Sequence, residues 1–127
     1  MPKTVLIFGT FDKLHPGHRF FLSTAKKQGD RLVVVVARDK NVLLVKGHLP
    51  KQSEQVRLQQ VQAVPEVAEA RLGLEDFSKK ELIIEQIKPD IICLGYDQTP
   101  NFIAPNQSIQ VIRLPAFRPD IYKSSKL

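Results

Sequence analysis

Apolar positions along the chain fall into short blocks whose period switches between strand and helix in a regular order. Thr4–Phe8 is a β-branched, apolar run that stops at Gly9, the pattern of a strand buried on both faces. From Pro16 the period changes: Phe20, Phe21, Leu22 and Ala25 mark a helix with Pro in its first turn and Gly29 beyond its end. Leu32–Ala37 is almost all valine, a second doubly buried strand. Residues 46–50 read as a loop. Val56, Leu58, Val61 and Val64 then place a helix over Gln52–Val64, with Ser53 as its cap. Val67–Leu72 alternates weakly and predicts a strand. Phe77–Ile87 predicts a third helix, opened by Asp76 or Ser78 and closed before Pro89. Ile91–Leu94 is another buried strand, ending at Gly95, and Ile109–Leu114 alternates until Pro115 stops it.

Strands alternating with helices require a parallel sheet with right-handed crossovers. The predicted architecture is a single-domain, Rossmann-like three-layer α/β/α sandwich. In such sheets ligands sit beyond the carboxyl ends of the strands. Those ends are Gly9-Thr10-Phe11-Asp12, Arg38-Asp39 and Gly95-Tyr96-Asp97-Gln98, all polar or glycine-bearing, as a nucleotide crevice requires.

Composition narrows the class without choosing the chemistry. A length of 127 residues, 43% hydrophobic and 25% charged, fits one globular domain with a real core. A lone Cys93 excludes an intrachain disulfide framework, and its flanks Ile92 and Leu94 make it a core side chain. No apolar run approaches the ~18–20 residues of a membrane helix. Met1-Pro2-Lys3 precedes only a short apolar run, too short for a signal peptide, so the expected compartment is the cytoplasm.

Charge is unevenly placed. Residues 1–65 carry eleven Lys/Arg against four Asp/Glu, whereas residues 66–90 carry four against seven. With a basic tail, the net charge is +6. That balance suits an anionic partner, either nucleic acid or a phosphorylated small molecule. The basic half has no interleaved aromatics, no zinc-finger spacing and no block of five basic residues, yet composition alone does not choose among nucleic acid, a phosphorylated small molecule and a plain solvated basic surface.

The candidate chemistry lies in Gly9-Thr10-Phe11-Asp12-Lys13-Leu14-His15-Pro16-Gly17-His18. Gly9 lets backbone approach a ligand without a Cβ. His15 stands at the helix entry, and His18 follows three residues later on the same face. Pro16 fixes the entry angle, and Gly17 removes a side chain between the imidazoles. Free N–H groups of the first helical turn, together with two imidazole donors, are expected to form an anion site. Aimed at a phosphate, such donors would hold the charge that develops on a five-coordinate phosphorus. His48 is expected to be a solvated loop residue, and Lys13 to occupy a turn.

Residues 5–18 resemble the signature of the HIGH-type nucleotidyltransferases, with His15-Pro16-Gly17-His18 as its core. The fuller Gly9-Thr10-Phe11-Asp12 opening is similar to the cytidylyltransferase branch, which includes glycerol-3-phosphate cytidylyltransferase and the archaeal-type FAD synthetases. Val36-Ala37-Arg38-Asp39, the lysine of Lys46-Gly47, Arg57 and Lys123-Ser124-Ser125-Lys126 resemble further motifs of that branch in order and spacing. Gly95-Tyr96-Asp97-Gln98 is closest to the archaeal-type FAD synthetases. The chain ends at Leu127, just after the serine motif, where the family's pattern leads into a helix.

The resemblance implies transfer of a nucleoside monophosphate from ATP or CTP to a phosphorylated acceptor, with release of pyrophosphate and with neither nucleic acid nor membrane as a partner. It favours FMN as acceptor and ATP as donor. Cytidylyl transfer to glycerol 3-phosphate or a similar polyol is the alternative, as is a nucleotide-binding module without turnover. By the same resemblance His15, His18 and Lys46 are catalytic. Gly9, Thr10, Phe11, Gly17, Arg57, Gly95, Asp97, Ser124 and Ser125 bind nucleotide or phosphate, and Asp12 and Asp39 face the acceptor. Mg2+ would travel with the triphosphate, because the sequence offers no carboxylate cage of its own, and the assembly would be a homodimer.

Overall fold

Five strands form one parallel sheet in a computed structural model of the chain, which describes residues 2–75, 80–95 and 108–115. In chain order the elements are β1 (Thr4–Gly9), α1 (Pro16–Lys26), β2 (Arg31–Val36), α2 (Asp39–Lys46), α3 (Glu54–Gln62), β3 (Val67–Leu72), α4 (Lys80–Ile87), β4 (Ile91–Leu94) and β5 (Gln110–Arg113). Spatially the strands lie β3-β2-β1-β4-β5. The winding therefore reverses between β1 and β4, and the carboxyl ends of those two strands define a switch point.

Strand alternation sorts the core into two layers. Val5 and Ile7 of β1 face the same side as Leu32, Val34 and Val36 of β2, where they pack with Leu22 and Ala25 of α1 and Val61 of α3. Leu6, Phe8, Val33 and Val35 point the other way, against Ile83 and Ile84 of α4. The parallel register Val5↔Leu32 through Phe8↔Val35 keeps each set on one face. Cys93 lies at 0% exposure among the first set, and burial pushes its thiol up to about 11. The predicted sandwich is the observed one.

Two details differ from the sequence reading. β3 is an edge strand whose pairing to β2 slips between Leu32 and Val33, which accounts for its weak alternation. More consequential is α2, a helix where the reading has only a strand end and a loop. It buries only Asn41 and Val42, while Leu43, Leu44 and Val45 stay exposed, so no apolar period marks it. Polar ties hold it instead. Asn41 Nδ2 donates to the Leu74 carbonyl (3.0 Å), the Asp39 N–H donates to Glu54 Oε1 (2.9 Å), and Gly47 closes the helix at φ 79°. The signals that mark it are terminal ones: Asp39 in the first turn, Lys46 in the last, and glycine directly after. The predicted opening of the third helix falls outside the described residues.

Candidate active site

The turn from β1 into α1 stands at the switch point, and its two histidines cap the helix. His15 is the N-cap: its Nδ1 accepts from the N–H groups of Gly17 (3.1 Å) and His18 (3.4 Å). In return His18 Nδ1 accepts from the His15 N–H (3.3 Å), completing a capping box built from two imidazoles. The rings stack with centroids 3.7 Å apart and planes 22° from parallel.

This arrangement fixes the tautomers. A ring nitrogen that accepts from a backbone N–H carries no proton, so each neutral ring holds its proton on Nε2. Two Nε2–H donors on stacked rings result, at the N-terminal end of α1 where the helix dipole favours negative charge. The anion site expected of free helical N–H groups needs correcting on this point. Pro16 has no N–H, Gly17 and His18 donate to His15 Nδ1, and Arg19 donates to the His15 carbonyl (3.0 Å). The imidazoles take up the helix donors and present their own.

His18 is held neutral. Burial, and after it the neighbouring His15, push its pKa down to about 4; Asp12 opposes that shift and Lys46 adds to it. Above pH 6.5 the ring is uncharged whether the chain is folded or not. As pH falls from 6.5 toward 4, the unfolded chain takes up a proton that the folded chain refuses, so stability declines through that window and levels off below it. Urea titrations across this range should therefore show a steeper fall for the parent protein than for His18→Asn. Parallel curves would show that His18 is not protected from protonation.

Phe11 supports His18 from beneath. Its ring is 3% exposed, meets His18 edge-on at 5.5 Å and 69°, and lies 6.4 Å from Phe21. A Cβ on Gly9 would stand 2.6 Å from Phe11 Cε2, so the space on the Cβ side of Gly9 is filled by this ring. The Phe11 side chain is thus committed to packing, which leaves to its backbone the phosphate contact expected of it.

The loop after α2 is stapled to the same turn. Asp12 Oδ2 accepts from the Lys51 N–H (2.7 Å) and Oδ1 from the Gln52 N–H (2.9 Å), while the Lys13 N–H donates to Gln52 Oε1 (2.8 Å). Burial works against the charge on Asp12. Those two backbone donors and the charges of Arg57 and Lys13 outweigh it and hold the carboxyl below its usual value. Asp39 Oδ1 accepts from Arg57 Nη2 (2.6 Å) and its Oδ2 from the Glu54 N–H (3.2 Å). Both carboxylates expected to face an acceptor thus bind protein donors here.

Arg57, expected from the sequence to bind nucleotide, is fully buried and donates inward to protein acceptors. Lys46 is exposed at the end of α2, near enough to His18 for its charge to be felt there. Thr10 and Gly17 lie half-buried in the turn. Gly95 follows β4 across the switch point, and its carbonyl accepts from Arg113 Nη1 (3.1 Å). Sequence reasoning passed over Arg113. Its signal was a basic residue at the carboxyl end of the last strand. Asp97, Ser124 and Ser125 lie outside the described residues.

Among the described residues no group of three or more His, Cys, Asp or Glu side chains could hold a metal ion. No described helix is long and apolar enough to cross a membrane.

Comparison with known proteins places the chain in a family. Residues 6–119 match the sequence profile of the Cytidylyltransferase-like family. The FAD synthase of Ferroglobus placidus is 53% identical over 98 residues, which cover 76% of this chain and 60% of that protein. The chain therefore spans about 60% of the length of that curated relative. It is 40% identical over 131 residues to the FAD synthase of Thermococcus sibiricus, covering 97% of this chain and 88% of that one. The crystal structure of the lipopolysaccharide core biosynthesis protein from Thermoplasma volcanium superposes with a TM-score of 0.78 at 33% identity, covering 92% of this chain and 99% of that one. With its signature turn, its sheet order and nearly its whole length matched, the chain belongs to the cytidylyltransferase-like family.

Proposed function

We propose that this chain catalyses transfer of AMP from ATP to FMN, forming FAD and pyrophosphate. The observation that carries the nucleotidyl-transfer part is the stacked histidine pair at the switch point, whose Nδ1 atoms are occupied by backbone donors, leaving Nε2 of each ring to donate. Two fixed N–H donors suit a triphosphate, because they stabilise charge on non-bridging oxygens without giving up a proton. The choice of ATP and FMN rests on relatives that are FAD synthases, and on Gly95-Tyr96-Asp97-Gln98 in the sequence.

In this reading a phosphate oxygen of FMN attacks the α-phosphorus. The bond to the bridging α–β oxygen breaks as the new P–O bond forms, and pyrophosphate leaves with the electron pair. The histidines hold charge on the α-phosphate, and Lys46 together with the Ser124-Ser125 motif neutralises the leaving group. No residue need act as nucleophile; rate comes from positioning and electrostatics. A divalent cation such as Mg2+ fits best as a companion of the triphosphate, where it neutralises oxygen charge, since Asp12 and Asp39 are engaged by protein donors.

Pyrophosphate release, measured for ATP and CTP each paired with FMN and with glycerol 3-phosphate, tests the reading. The expected result is turnover with ATP and FMN, and FAD as product. Turnover with CTP and glycerol 3-phosphate instead would overturn the substrate choice while leaving the transfer chemistry. Nucleotide binding without release from any pair would overturn the enzyme reading itself.

A further inference from the structure

A guanidinium at 0% exposure is an unusual use of arginine, because taking an ion out of water costs several kcal/mol unless its donors are matched. Arg57 is matched on three sides, and its partners belong to three different segments. Nη1 donates to the Thr10 carbonyl (2.8 Å) in the turn after β1. Nε donates to the Gln52 carbonyl (3.1 Å) in the loop before α3. Nη2 pairs with Asp39 (2.6 Å) in the first turn of α2.

The turn after β1 needs such a hold. Phe11 and Lys13 both stand in the left-handed region, at φ 54° and 51°. Non-glycine residues there are strained and persist only where the surroundings over-determine them. Arg57 grips the turn at Thr10, and Asp12 and Lys13 tie it to Lys51 and Gln52. Phe11 passes the geometry on to His18 through its ring edge. Through Asp39 the same guanidinium fixes the start of α2, the helix whose last residue is Lys46.

We propose that Arg57 is a positioning residue that sets the placement of the histidine pair relative to Lys46, working from inside the protein without touching the substrates. Of the groups that face His18, His15 and Asp12 lie on the turn that Arg57 holds, and Lys46 lies on the helix that it holds. One side chain thus ties both charge-bearing parts of the site together.

Two variants test this. Arg57→Lys keeps the charge but loses the fork. Asp39→Glu keeps every charge and folds more readily, but lengthens the link to α2 by one methylene. The first readout uses no substrate: the pKa of His18 by NMR, with and without Lys46→Ala. In the parent, Lys46→Ala raises the His18 pKa, because a neighbouring positive charge is lost. In either variant background that response is expected to shrink or vanish. The second readout is steady-state kinetics and rests on the proposed adenylyl transfer. Here kcat is expected to fall on the order of 10²-fold, as for a roughly 1 Å misplacement, with the KM for ATP little changed.

A folded variant with the His18–Lys46 response intact and kcat unchanged would overturn the proposal. So would a raised KM for ATP at unchanged kcat, which would make Arg57 a direct nucleotide ligand. Should Arg57→Lys fail to fold, Asp39→Glu decides by the same readouts. If no substrate pair turns over, the titration still decides the role of Arg57 separately from the choice of reaction.

Discussion

His18→Ala is expected to slow the proposed transfer by on the order of 10²–10³-fold while the fold persists, the range seen when one oxyanion-type donor is deleted. The loss follows from geometry. His18 contributes one of two stacked Nε2–H donors, held neutral by burial and proton-bearing at Nε2 because its Nδ1 accepts from the His15 N–H. Removing the ring also frees that N–H, but the capping contact is solvent-exposed, so the stability cost is about 1 kcal/mol. His18→Asn separates the two roles. Its amide oxygen can take the His15 N–H, but its reach ends short of the Nε2 position. Asparagine should therefore restore the melting temperature without restoring single-turnover rate. A fully active His18→Ala protein would sink the mechanism.

Gly9→Ala carries the second large effect, and it acts through packing. Its Cβ would meet Phe11 Cε2 at 2.6 Å and Cζ at 2.7 Å, closer than real Cβ contacts come. The ring cannot swing clear, since it is buried between His18 and Phe21. Overpacking of this kind costs roughly 1–3 kcal/mol. A ring displaced by about 1 Å carries His18 with it and is expected to slow transfer on the order of 10²-fold. Denaturant titration and rate measurement check the two parts independently. Phe11→Leu placed on Gly9→Ala should recover part of the stability, because the clash is pairwise. A Gly9→Ala protein as stable and as fast as the parent would mean that Phe11 yields freely.

The sheet was legible in the sequence because its central strands are buried on both faces, so Thr4–Phe8, Leu32–Ala37 and Ile91–Leu94 read as continuous apolar runs. The His15-Pro16-Gly17-His18 turn was legible because its residues are local and consecutive. What escaped detection depends on closure in three dimensions. α2 buries too little apolar surface to leave a period, and polar bonds to Leu74 and Glu54 hold it. Arg57 stands out by resemblance as a nucleotide contact, but its inward grip shows only when residues 10, 39 and 52 converge on it. The use of imidazole nitrogens as helix caps, which takes up the helix N–H groups, cannot be read from spacing, because it turns on which ring nitrogen faces the backbone.

Cys93 has a consequence of a different kind. It is the chain's single thiol, it sits in the middle of β4 beside β1, and burial keeps it protonated far above neutral pH. A thiol so placed is inert to surface reagents. An alkylating probe reaches it only when the layer packed on that face of the sheet, which includes Leu22 and Ala25 of α1, lifts away. The slow labelling of this one sulfur is therefore a clock for opening of the core behind the histidine-bearing helix, read without introducing any foreign group beforehand.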